Sequence, residues 1–158
     1  MKRNFVILIL LIGLILLCSK AEAPISITVT GSWSETINAS DLQAGAGSDL
    51  ISTYESAAAA GWINITETSG NWAVDVKKVD TNWHSNLHLH IQRTSDGNGS
   101  GSIAGGVSYQ ELTDIDQSFF SGSDDRSNVN VQLKLTGVSI QVPPDTYTTT
   151  IYYTVSDQ

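Results

Sequence analysis

The 158 residues carry 16 acidic against 8 basic side chains, a formal net charge of −8, with 15% charged residues in all. Such a surface repels phosphate backbones and anionic lipids, so nucleic-acid binding, which draws its affinity largely from Lys and Arg, is not expected. The single cysteine, Cys18, rules out an intrachain disulfide and a thiolate metal centre.

The chain opens MKRNFVILILLIGLILLCSKAEAP. Two cations precede an apolar run over residues 5–17, shorter than the roughly 20 residues of a spanning helix. With small residues at Ser19-Lys20-Ala21 and Ala21-Glu22-Ala23, this is the pattern of a secretory signal. Pro24 hinders the later cut, so residues 1–21 are expected to be the signal peptide, with a cut after 23 as the alternative and an uncleaved anchor as the other reading. Leu17 is not the small residue that normally precedes a lipid-modified cysteine, so Cys18 leaves with the signal. The remaining 22–158 form one cysteine-free domain, and its formal charge falls to −11 once Lys2, Arg3 and Lys20 are gone. The expected location is secreted or cell-surface, periplasmic or extracellular, with membrane contact only through the signal segment.

Beyond the signal, apolar residues alternate with polar ones at period two. Ile25, Ile27 and Val29 alternate with Ser26, Thr28 and Thr30, and Ile63 and Ile65 with Asn64 and Thr66. Trp72, Val74 and Val76 share one face, with Ala73, Asp75 and Lys77 on the other. Val129, Val131, Leu133 and Leu135 continue the pattern. Tyr147, Thr149, Ile151, Tyr153 and Val155 form the last such face. One dry and one wet face per strand belongs to antiparallel sandwiches, because parallel sheets are buried on both sides. The best helical candidate, 54–60, is short and stops at Gly61. The expected fold is an all-β, antiparallel immunoglobulin-like sandwich of seven to nine strands. Turn residues cluster at 39–49, at 94–106 (expected to be the most flexible segment), at the acidic turn 121–128 and at VPPDT, 142–146.

NWHSNLHLH, 82–90, holds all three histidines. Leu87, Leu89 and Ile91 supply the buried phase of a strand, so His88, His90 and Gln92 point outward, and strand alternation alone accounts for them. Imidazole is also a common zinc and copper ligand, and His-x-His on a strand projects two rings in parallel. His84, His88 and His90 are therefore candidate metal ligands, with Asp75 as a possible addition from a neighbouring strand; a closed site needs three or four ligands.

DGNGSG places Asp96, Asn98 and Ser100 at the first, third and fifth positions of a calcium loop. The twelfth position, where a bidentate Glu belongs, is Val107, and a glycine-rich hairpin loop is the plainer reading. Glu111, Asp114 and Asp116 could pair as acid and base but sit in a loop-like acidic stretch. No Gly-x-Ser-x-Gly elbow occurs, and no catalytic residues are assigned. Trp72 is in phase with a core face. Trp33, Trp62 and Trp83 sit at strand ends or turns, where aromatics either pack under loops or stack on sugar rings. Asn38, Asn64 and Asn98 fit the glycosylation triplet.

VPPDTYTTTIYYTVS resembles the closing strand of secreted bacterial immunoglobulin-like domains, and a signal followed at once by ISITVTGSW resembles coat-protein-U-like and pilin-like subunits. The resemblance implies an exported, non-enzymatic structural or surface protein without a cofactor, whose partner is itself or a homologous subunit. In such assemblies an N-terminal strand completes a neighbour's sheet, which makes Ile25, Ile27 and Val29 the expected strand-addition anchors. The alternative is a secreted binding module for carbohydrate or a metal ion.

Overall fold

A computed structural model describes residues 24–158, and the expected signal peptide lies outside them. Ten strands form, in chain order β1 (Ser26–Gly31), β2 (Thr53–Glu55), β3 (Gly61–Thr66), β4 (Asn71–Asn82), β5 (His88–Arg93), β6 (Ile103–Gly105), β7 (Gln110–Glu111), β8 (Gln117–Ser123), β9 (Arg126–Thr136) and β10 (Thr148–Asp157). Among the described residues there is no α-helix, only a 3₁₀ turn at Ala39–Asp41 capped by the Asn38 side chain. The helical candidate at 54–60 instead opens as β2. Tyr54 there alternates with exposed neighbours rather than building a helical face.

All strand pairings are antiparallel and fall into two sheets. One runs β1-β3-β9-β5-β7, with β2 also on β9; the other runs β10-β4-β8-β6. The antiparallel sandwich expected from the alternation is therefore present. Its wiring is nested: β3 pairs with β9, β4 with β8 and β5 with β7, with β6 near the apex. Every connection from β3 to β10 crosses between the sheets. This is one long hairpin rolled into two layers, the path of a jelly roll, whereas the immunoglobulin path changes sheet at only some of its connections.

The alternating residues meet between the layers. Ile63, Ile65, Val129 and Ile91 from the first sheet face Trp72, Val74 and Val76 from the second, all fully buried. Trp72 packs edge-on to Phe120 at 5.8 Å, and its Nε1 donates to the Asp124 carbonyl at 2.9 Å. The indole's one polar atom is thereby satisfied inside the core.

Segment 94–102, which carries the chain from β5 across to β6, is a close-packed strap rather than a flexible loop. Asn98 and Ser127 exchange backbone hydrogen bonds, and Ser123 N donates to Ser102 O. Gly97, Gly99 and Gly101 lie flat against the carbonyls of Ser127, Asp125 and Ser123, where a Cβ would collide with each. The alternating glycines thus serve close backbone approach, which composition alone does not distinguish from flexibility.

Candidate functional site

The outer face of the first sheet carries the histidines. β5 exposes His88 and half-buries His90 and Gln92, while Leu89, Ile91 and Arg93 turn inward, the phase expected. Pairing sets Glu55 of β2, Lys134 of β9, His90 of β5 and Glu111 of β7 side by side across four strands. His88 Nδ1 lies 2.6 Å from Glu111 Oε1, a diagonal contact between β5 and β7. Lys134 Nζ sits 3.9 Å over the Tyr109 ring. The Tyr109 hydroxyl is buried beside Glu55; burial raises its pKa, and the Glu55 carboxylate, by its charge and as a hydrogen-bond acceptor, pushes it further in the same direction. His90 Nδ1 is buried and unpartnered.

His84 stands apart from this row. It precedes β5, its Nδ1 accepts from the Asn86 amide at 3.2 Å, and its ring meets Tyr147 edge-on at 6.1 Å. Asp75 does not neighbour β5: it lies on β4, in the opposite sheet. Among the described residues no group of three or more His, Cys, Asp or Glu is arranged to hold a metal ion. What forms is an imidazole–carboxylate pair beside a second imidazole. Glu111 supplies it from β7, a two-residue strand too short for periodicity to reveal.

The candidate calcium residues are engaged otherwise. Asp96 takes an ion pair from the buried Arg93, whose guanidinium also donates to Gly105 O at 2.9 Å and Ser95 O at 3.2 Å. Asn98 is tied by its backbone to Ser127, and Ser100 is exposed. Asp116 pairs with Lys77 at 2.8 Å, away from Glu111's partner. Asn64 uses its side-chain oxygen to hold the Asn128 amide, at a residue with φ of 57°. Of the expected anchors, Ile25 and Ile27 pack against the core, while Val29 is 43% exposed; β1 pairs with β3 of its own chain from Ser26↔Thr66 to Gly31↔Gly61.

A second feature lies between the sheets. At the end where β1 stops, a cleft of about 850 Å³ opens over Val131, Leu133 and Leu135 of β9, facing Ile151 and Tyr153 of β10. Trp33, Trp83 and Tyr147 stand along it, with Glu35 and Asp145 among its polar residues. Trp83 is fixed by its Nε1 donating to Leu87 O at 2.7 Å. Asp145 is held below the usual carboxylate range by the Asn82 side chain, then by the Thr146 amide. Burial raises the Tyr153 phenol far above its ordinary value. Two of the three tryptophans at strand ends or turns, Trp33 and Trp83, thus meet at one cleft; Trp62 is 40% exposed and lies outside it. The inward phase of Tyr147 and Tyr153 was legible from their spacing with Ile151.

No protein-family model, curated protein or solved structure matches this chain. No helix among the described residues is long and apolar enough to cross a membrane.

Proposed function

We propose that this is an exported, non-enzymatic surface protein of the periplasm or cell exterior that assembles with copies of itself or a homologous subunit by pairing strand edges. The observation that carries the reading is a pair of sheet edges nearly free of charge, with an irregular register only between Thr148 and Thr149, where β10 begins on β4. β10 ends one sheet and β1 ends the other, and neither has a further strand on its free side among the described residues. β10 reads TTTIYYTVSD, with no Lys, Arg or Pro and one carboxylate at its end; β1 reads SITVTG, with no charge. Edges that stay monomeric are usually short, charged, bulged or covered. Tyr152 of β10 and Val79 of the adjoining β4 are 50% and 47% exposed on the same outer face. Donation of β1 to a neighbour's β3 would keep the same register between chains, with Ile25, Ile27 and Val29 as anchors.

Light scattering of residues 22–158 across a concentration series tests this. Mass should rise with concentration, and Thr150→Lys with Tyr152→Lys should hold the chain monomeric while leaving its melting temperature within about 3 °C, as surface changes do. Oligomers that survive the lysines but vanish on removal of 22–37 would make β1 exchange the route. A monomer at every concentration would sink the assembly reading.

A second reading, a binding module, is favoured by the meeting of Trp33 and Trp83 at the inter-sheet cleft. It expects a monomer whose melting temperature rises with ligand.

A further inference from the structure

We infer that the inter-sheet cleft is a binding site for a cationic amphiphile, an aliphatic or aromatic body carrying an amine or quaternary ammonium head; this rests on the binding-module reading and names its ligand class. The volume, about 850 Å³, falls within the range of small-molecule pockets. The aliphatic lining of Val131, Leu133, Leu135, Leu89 and Ile151 comes from strand positions whose polar neighbours point away to solvent. Against those five side chains a sugar would bury hydroxyls without partners, while the Ser and Thr residues at 30–36 and 146–150 that also line the cleft could bond only the hydroxyls placed beside them. An alkyl or aryl body incurs no such cost.

The charged groups then select the head. The residues lining the cleft include two carboxylates, Glu35 and Asp145, and no Lys, Arg or His. Lys78, 5.2 Å from the centroid of the Trp83 ring, is already paired with Asp80. A third observation concerns Tyr54, which sits opposite Leu135 with its hydroxyl buried and unpartnered. Burial raises its pKa, and the Asp41 and Glu35 carboxylates raise it further. A carboxylate or phosphate head would be repelled by the solvent-exposed carboxylates of Glu35 and Asp145, modestly and less so at high salt, whereas an ammonium would be drawn to them and could rest on the faces of Trp33 or Tyr147.

Isothermal titration of residues 22–158 with dodecyltrimethylammonium, dodecyl maltoside and dodecanoate, each below its micelle concentration, tests the inference, with tryptophan fluorescence as a second readout. The expected result is one saturable site for the ammonium, with dodecanoate at least tenfold weaker. Glu35→Gln, at an exposed position, should weaken the ammonium about two- to fivefold, the size of an exposed charge contact, and leave the maltoside unchanged. Leu135→Trp should fill the cleft and abolish saturable binding while the chain still melts cooperatively. Should that variant not fold, Glu35→Gln still decides. Dodecanoate binding as tightly as the ammonium, or a neutral oligosaccharide binding where the ammonium does not, would overturn the ligand class and leave the binding cleft standing. Absence of any saturable binding, or ammonium uptake untouched by Leu135→Trp, would overturn both.

Discussion

The same strands build both ends of the sandwich, yet the ends are filled differently. Around Trp72, Val74 and Val76 the second sheet presents β10, β4 and β8 together, because β8 pairs with β4 from Asn71 to Val76. Past Val76 only β10 continues along β4 as a paired strand, from Tyr152↔Lys77 to Thr148↔Asn82, and on the other side a single backbone bond, Lys78 N to Thr113 O at 2.8 Å, follows β8. The first sheet does not narrow with it: β2, β9 and β5 still lie side by side at Leu135. Two strands cannot roof what three expose. Leu133, Leu135, Ile151 and Tyr153 keep the alternation of core residues but remain partly open, and the cleft is the shortfall. Alternation therefore assigns a face to the interior, while closure depends on how many strands stand opposite.

The widest gap between the ends should be in stability. Trp72→Ala removes a fully buried indole with its Asp124 hydrogen bond and Phe120 contact, and should cost about 3–5 kcal/mol, enough to threaten folding of a typical domain. Leu135→Ala, in the open end, should cost about 1 kcal/mol, because part of its side chain is already wet and no sealed cavity is left. Urea unfolding of both variants measures the contrast. Similar losses would mean that the cleft closes in solution.

A smaller effect is expected at the strap. Gly101→Ala drives a Cβ into the Ser123 carbonyl, in backbone that has no flexible side chain to yield, and should cost about 1–3 kcal/mol. Gly45→Ala, at φ of 86° but with nothing near, should cost about 1 kcal/mol, from backbone conformation alone. Thermal melts compare the two. If Gly101→Ala proved the milder of the pair, the strap would be the flexible loop its composition suggests.

The residues that announced themselves were those with long, one-sided burial. Trp72 to Val76, Val129 to Leu135 and the phase of Leu89 and Ile91 follow from period two, and the acidic turn at Asp124–Asp125 does join β8 to β9. Strands of two or three residues, β6 and β7, hold too few positions for a period, so Glu111 looked like loop and its contact with His88 was invisible. Asp75 had the right polarity for a neighbour of His88, but the sheet it joins is fixed by the nested pairing, a non-local property. The cleft lay further still from view, because it arises from where β8 stops along β4 rather than from any residue's type.

The open end is held by polar staples instead of packing, and Asp49 is the clearest. Its carboxylate accepts from the Ile140 amide at 2.9 Å, the Leu50 amide at 2.8 Å and the Ser139 hydroxyl at 3.1 Å, joining the 42–50 loop to the segment after β9. Those bonds, Ile140's first, hold its pKa below the ordinary 3.8. The folded form thus favours the carboxylate: its contribution is full above the unfolded pKa and is lost as pH falls through the lower, folded one. Asp49 is fully exposed, so the consequence should be local. Hydrogen exchange at Ile140, corrected for the intrinsic rate, should accelerate below about pH 4 while Val74 and Val129 stay protected. Asp49→Asn should remove that pH dependence. Protection at Ile140 that persists through the acid range would mean that the Asp49 carboxylate does not hold this segment, and a fall together with Val74 would mean that the two ends open as one unit.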